Sequence, residues 1–400
     1  MNQPTVLVVG GGSNQLPLVS AALKLGLHVA VSDINENPPC RELAHEFRQI
    51  NTIDRGLTLN FARELKINAV VSDQTDAAVP TVAYIAGELD LPGIGFETAL
   101  RFTNKHLMRL AVSDGKHINS PKVVGVISRL DEAHGLRDKF DRSQSYIVKP
   151  INSQGSKGVF PFQGIPPRHL LQSALDESRG KGIIIETFIE GDEYSVESFV
   201  LDNKVYLLAV TKKFHYPQND CIDFRNTYLD DIPTDVETLL VDANEETIMK
   251  LGLSNGSTHA EYKLCGDKVF LIEIAARGGG GNIAGKIIPY LTGFDPSKAL
   301  IIHALGGVPE VKVGSYRKKF AIMRFFDFKA GRVKSIDLEK FRIQNLLHFE
   351  IDLKVGDRLD GVRNSRDRRG YFIVGSENRA ECIAMEKLVV SEINSCVEIE

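Results

Sequence analysis

Residues 259–281 read HAEYKLCGDKVFLIEIAARGGGG, two apolar-alternating runs flanking a turn at Cys265, Gly266, Asp267 and Lys268. That pattern predicts a β-hairpin. Each arm carries one carboxylate foreign to a buried strand, Glu261 and Glu273, placed symmetrically about Asp267. With an odd-numbered turn they face each other; with a two-residue turn the register slips by one and they point apart. Like charges directly opposite on a sheet repel. An opposed pair therefore calls for a cation between them. Oxygen ligands without Cys or His favour Mg²⁺, usually held by one or two carboxylates plus substrate phosphates. Arg277 and Gly278–Gly281 follow. A guanidinium beside bare backbone suits phosphate or carboxylate.

Composition narrows the class. The chain has 400 residues and a net charge of −4, so two or three domains are expected and no global basic field argues for nucleic acid. No apolar run approaches the ~18 residues that span a bilayer. The start, MNQPTVLVVGGG, has no basic region and enters a strand at once, unlike a signal peptide. Five scattered cysteines and no CxxC pattern suit reduced thiols in the cytoplasm.

Residues 1–100 alternate strand and helix: strands at Thr5–Val9, His28–Ser32 and Ala69–Ser72, helices at Leu16–Leu25 and Ala77–Leu89. This βαβ order implies a doubly wound parallel sheet. The turn Gly10–Gly12, with Asp33 about 20 residues on, is close to a dinucleotide fingerprint. Gln15 stands where its third glycine belongs. A nicotinamide-dependent oxidoreductase using this turn is one expectation; a small-molecule site at the strand ends is another. Phe96–Val112 reads as one or two helices, with Asn104 or Thr103 capping the second ahead of Lys105.

Strand Tyr146–Val148 delivers Lys149 directly before Pro150. A lysine ending an apolar strand is costly unless it meets an anion. Ser153, Gly155, Ser156 and Gly158 follow, giving the backbone N–H groups and hydroxyls of a phosphate-covering flap. The strand at Gly182–Ile185 closes on Glu186, then Thr187, Phe188 and Ile189, whose free backbone suits an adenine ring. Residues 212–228 read as a long polar loop of lid type, with His215 and Arg225 as candidate substrate contacts. Thr234–Leu251 is an amphipathic helix. Arg363, Arg366, Arg368 and Arg369 read as a solvated loop near the C-terminus.

The ordered set resembles the ATP-grasp superfamily across essentially the whole chain, nearest its carboxylate–amine ligases of the L-amino-acid ligase kind. The resemblance implies an α/β and α+β architecture. A doubly wound parallel-sheet domain (1–104) precedes an ATP-grasp domain whose two α+β subdomains enclose ATP (105–307) and a small C-terminal α+β unit (308–400). It also implies roles. Lys105 and Lys149 contact ATP phosphates, and the 153–158 loop closes over them. The backbone of Glu186, Thr187, Phe188 and Ile189 holds adenine, and Glu193 the ribose. Glu261 and Glu273 bind Mg²⁺ or Mn²⁺, and Arg277 steadies the transferring phosphoryl group. Ala275 stands where many members have Asn, and Gly278–Asn282 replaces the histidine-asparagine-serine run of the purine branch. The implied reaction joins a small carboxylate to an amine through an acyl phosphate, releasing ADP and phosphate. A purine-type carboxylase is the alternative within the superfamily, and a nucleotide-binding module without catalysis a third reading. Nucleic acid and membrane are not expected partners; a homodimer is left open.

Overall fold

The computed structural model describes residues 3–400, and it builds the chain on four sheets. The first is fully parallel, in the order Glu46–Gln49, His28–Asp33, Thr5–Val9, Ala69–Val71. Its inner strands are apolar along most of their length because both faces are covered, whereas the edge strand Glu46–Gln49 is largely exposed. Val6, Val8, Val29 and Val31 face helix Leu16–Lys24, while Leu7, Val9 and Ala30 face Arg55–Leu65 and Val79–Glu88. A further helix, Pro296–Ala304, returns from far along the chain to pack Ile301 and Ala304 onto the first of these faces.

The dinucleotide expectation fails at the glycine turn. The Gly11 amide donates to Asp33 Oδ2 at 2.7 Å, and the Gly12 amide donates to Gln15 Oε1 at 3.0 Å. Two amides that a pyrophosphate would need are already taken by the chain's own side chains.

A small antiparallel sheet follows, ordered Val123–Ile127, Ile183–Thr187, Ser145–Pro150, Phe160–Gln163. The largest sheet has nine strands. It runs His348–Ile351, Gly370–Ser376, Phe320–Phe325, Asn219–Tyr228, Lys204–Tyr216, Asp192–Leu201, Gly256–Cys265, Lys268–Ala275, Ile118–Asn119. Residues 212–228 are therefore a strand pair, not a loop. The alternation was masked because the inward positions Lys213 and His215 are charged or polar and meet Glu193. Three C-terminal strands extend this same sheet, through Tyr228 opposite Ala321. Its other face packs Tyr194, Val196, Tyr262 and Leu271 against helix Thr234–Leu251. No helix among the described residues is long and apolar enough to cross a membrane.

Two buried polar joints hold these sheets together. Arg109, on helix Lys105–Ala111, meets Glu186 at 2.5 Å and donates to the Ile272 carbonyl at 2.7 Å, so one guanidinium ties three elements. At the end of the first sheet, Asp73 accepts the Gly278 amide at 2.7 Å, Gln74 accepts the Asn282 amide at 3.1 Å, and Asp76 pairs with Arg277 at 2.8 Å.

Each joint yields a prediction. Arg109→Leu strips a fully buried carboxylate of its closer cation; Lys149 remains at 3.3 Å. We expect a loss of about 3 kcal/mol in urea unfolding, whereas a loss below ~1 kcal/mol would remove the joint's importance. Burial pushes the Asp73 carboxyl up to about 6, against the Gly278 amide, which pulls it down. For an acid raised in the fold, the stabilising share is fully present below its unfolded value of 3.8 and is lost as pH rises through 6. Asp73→Asn should therefore gain about 1–3 kcal/mol at pH 7.5 and much less at pH 4, read by thermal melts at both pH values.

Candidate active site

The acid hairpin solves its register problem with a bulge. Its turn has two residues, with Cys265 paired to Lys268. On that count Glu261 and Glu273 would fall on opposite faces. Ile272 is an extra residue between the pairs Tyr262–Leu271 and Glu261–Glu273, and it restores their opposition. The bulged carbonyl is the one Arg109 holds.

One face of the large sheet then lines a cavity of about 720 Å³. Glu193, Ser195, Lys213, His259, Glu261, Lys263 and Glu273 all reach it. The opposed carboxylates are neutralised from two directions. Lys213 lies 2.6 Å from Glu261 and 2.7 Å from Glu193. Lys105 lies 2.7 Å from Glu273 and donates to the Ser153 carbonyl at 2.7 Å. Asn104 caps the helix that Lys105 begins, accepting from the His106 and Leu107 amides, which fixes where that lysine emerges. Burial pushes Glu261 up, yet Lys213 and His259 outweigh it and hold the acid well below the usual range. Burial likewise pulls His259 down, but Glu197 raises it to about 9. Glu197 also accepts the Gly279 amide at 3.2 Å, so His259 links the glycine run to Glu261.

Can this pair hold a divalent cation? All protein contacts to the two acids fall on Oε1, and among the described residues no donor meets Oε2 of either. Two oxygens are thus available on one sheet face, beside a cavity. That donor set fits a hard cation that takes its remaining ligands from phosphate and water. Among the described residues no group of three or more His, Cys, Asp and Glu side chains forms a cage, and Ala275 lines the cavity without offering a ligand.

The other predicted residues divide. Lys149 reaches the cavity and pairs with Glu186 at 3.3 Å. Thr187, Phe188 and Ile189 line it too, but Glu186 does not: its side chain is buried behind Lys149 and Arg109. The Thr187 and Phe188 amides donate to Lys122 and Ser145 carbonyls, which leaves the Ile189 amide without a backbone acceptor among the described residues. Glu193 lines the cavity, held by Lys213 and His215. In the flap, the Ser153 and Ser156 hydroxyls donate to the carbonyls of Lys157 and Cys221, so they are not phosphate donors here. The Gly155 and Ser156 amides meet no acceptor among the described residues. Gly158, at φ +68°, packs on Pro150 and Glu177 away from the cavity. Arg277 lines the cavity with its fork on Asp76. His215 is turned to Glu193, and Arg225 is bidentate to Glu386 at 2.6 and 2.8 Å, so neither lines the cavity.

Sequence reasoning missed Lys213, His259, Asp76, Arg366 and Arg368, all on the cavity wall. A signal existed for His259, two residues before Glu261 and hence on its face. None existed for the arginines: Arg368 is placed by Asp223 at 3.2 Å and by the Phe325 ring at 3.5 Å, both far along the chain.

Residues 143–286 match the profile of the ATP-grasp domain family. A formate-dependent phosphoribosylglycinamide formyltransferase of Prochlorococcus marinus (strain MIT 9515) is 28% identical over 48% of this chain and 49% of its own length. An L-arginine-specific L-amino acid ligase of Bacillus subtilis is 21% identical over 59% of this chain and 57% of its own. The aligned stretches thus span about half the length of these relatives. The crystal structure of an L-amino acid ligase from Bacillus licheniformis matches 100% of this chain and 99% of that one, with a TM-score of 0.79 at 19% identity, which is a likeness of fold. The flap, residues 186–189 and the acid hairpin all lie inside the stretch that matches the ATP-grasp domain profile, and the fold is shared from end to end with that ligase structure.

Proposed function

We propose that the chain is an ADP-forming carboxylate–amine ligase of the cytoplasm, acting on small molecules, with units at 1–104, 105–307 and 308–400. The observation that carries this reading is the opposed pair Glu261 and Glu273, with Lys105 at 2.7 Å and Lys149 on the wall of the same cavity. ATP lies with its base at Thr187–Ile189, its ribose near Glu193, and its phosphates between Lys105, Lys149 and the flap amides. Glu261 and Glu273 would hold a divalent ion, Mg²⁺ or Mn²⁺, which would supply neutralising charge for the phosphates. Such transfer is mainly positioning and charge stabilisation. That suits a wall of lysines, acids and an arginine with no activated nucleophile. The substrate carboxylate attacks the γ-phosphate, and Arg277 steadies the phosphoryl oxygens as charge spreads. Asp76 fixes the guanidinium plane for that task. The amine then displaces phosphate from the acyl phosphate, within a cavity that the flap shields from water.

Glu273→Gln keeps the shape and the Lys105 contact but removes a ligand charge. ADP release over a panel of acid–amine pairs should fall at least ~100-fold, with the melting temperature little changed; turnover at the wild-type rate would remove the metal role. Arg277→Lys keeps the charge and loses the fork. Its kcat should fall by roughly 100-fold while ADP affinity, read by calorimetry, stays within about threefold. An equal loss in both would make Arg277 a general structural residue.

A further inference from the structure

Charge along the cavity wall is unevenly matched. Asp76, Glu193, Asp223, Glu261 and Glu273 each have a lysine or arginine partner within 3.3 Å. Among the described residues two lining carboxylates have none: Asp220, on the strand that adjoins the flap through Cys221, and Glu350. Glu350 belongs to the other end, on the strand His348–Ile351 at the sheet edge. Its partner is the His348 imidazole, backed by the Lys286 ammonium. The Lys286 ammonium lies 3.1 Å from His348 Nδ1, which makes that nitrogen the acceptor and leaves Nε2–H to donate to Glu350 at 3.3 Å. His348 is itself fixed by stacking on Tyr371, ring centroids 4.6 Å apart. The Tyr371 hydroxyl accepts from Asn282 at 2.8 Å, so its own proton is free to donate. Met323, Phe325 and Tyr371 continue the cavity-facing side of the sheet, with the Arg368 guanidinium lying on the Phe325 ring. The wall thus ends in an oriented carboxylate beside the aromatic face of Tyr371, at the opposite end of the sheet from the paired glutamates.

Resting on the ligase reading above, we infer that Glu350 is the specificity residue for a substrate carrying an ammonium on a part that does not react. A carboxylate with open lone pairs, held by an imidazole N–H and bordered by an aromatic ring, binds an ammonium by a charge-assisted hydrogen bond. The same carboxylate repels the phosphate end of a phosphorylated substrate.

Calorimetric titration of wild type and Glu350→Gln with L-lysine, norleucine and hexanoate tests this, since each successive pair differs by one ammonium. In at least one pair the wild type should prefer the added ammonium by ~10-fold or more, and Glu350→Gln should bring that ratio within ~2-fold. An equal ratio in the two proteins, or no preference in the wild type, overturns the inference. Glu350 is exposed on an edge strand, so the variant should melt as the wild type does. ADP titrated into the same proteins reads the nucleotide half separately: a wild type that binds no ADP sinks the ligase reading, while the lysine, norleucine and hexanoate ratios still decide the role of Glu350.

Discussion

Two carboxylates forced into register on adjacent strands are the constraint around which this molecule is arranged. Their repulsion has to be offset from outside the hairpin, and the fold brings the charges to do it. Lys213 reaches across the sheet from strand Lys204–Tyr216, past the intervening strand Asp192–Leu201. Lys105 comes from the first turn of a separate helix. The bulge at Ile272 creates the opposition, and Arg109 holds the bulge while neutralising Glu186 beneath Lys149. Local twist, buried ion pairing and the cavity charge are thus one coupled arrangement.

The glycine run after Arg277 is the second anchor. Isolated, four glycines would be the most mobile segment of the chain. Here they are fastened on two sides, by Asp73 and Gln74 from the parallel sheet and by Glu197 from the large one. A side chain at Gly278 or Gly279 would strike Ala284, Ile283 or the Glu197 carboxylate, with contacts from 2.3 to 2.9 Å. The glycines therefore let backbone amides approach buried acids. They also join the N-terminal sheet to the cavity, so Arg277 reaches the site already held by Asp76.

Much of the fold was legible because burial leaves a period in the sequence. Three of the four parallel strands read as apolar runs, while the polar edge strand Glu46–Gln49 did not, and helix Thr234–Leu251 showed the spacing of one buried face. Legibility ended where a strand faces the polar cavity. Lys213 and His215 occupy inward positions, so the alternation that marks a half-buried strand was replaced by charge, and 212–228 read as a loop. The flap serines looked like phosphate donors by type, but their hydroxyls found carbonyls at 3.0 and 2.7 Å. Arg368 looked solvated because its partners lie some 40 to 150 positions away.

By itself the sequence determined the kinds of chemistry present and their order: acids on a hairpin, lysines at a strand end and a helix start, bare backbone after an arginine. Residue type and spacing carry that information because hydrogen-bonding capacity and side-chain period are local properties. Only the tertiary structure decided which groups meet. Whether Glu261 faces Glu273 hung on one extra residue, which no turn count reveals. Which lysine neutralises which acid depended on how a helix and two sheets pack, since a charge is stabilised by whatever lies within a few ångströms, however distant along the chain.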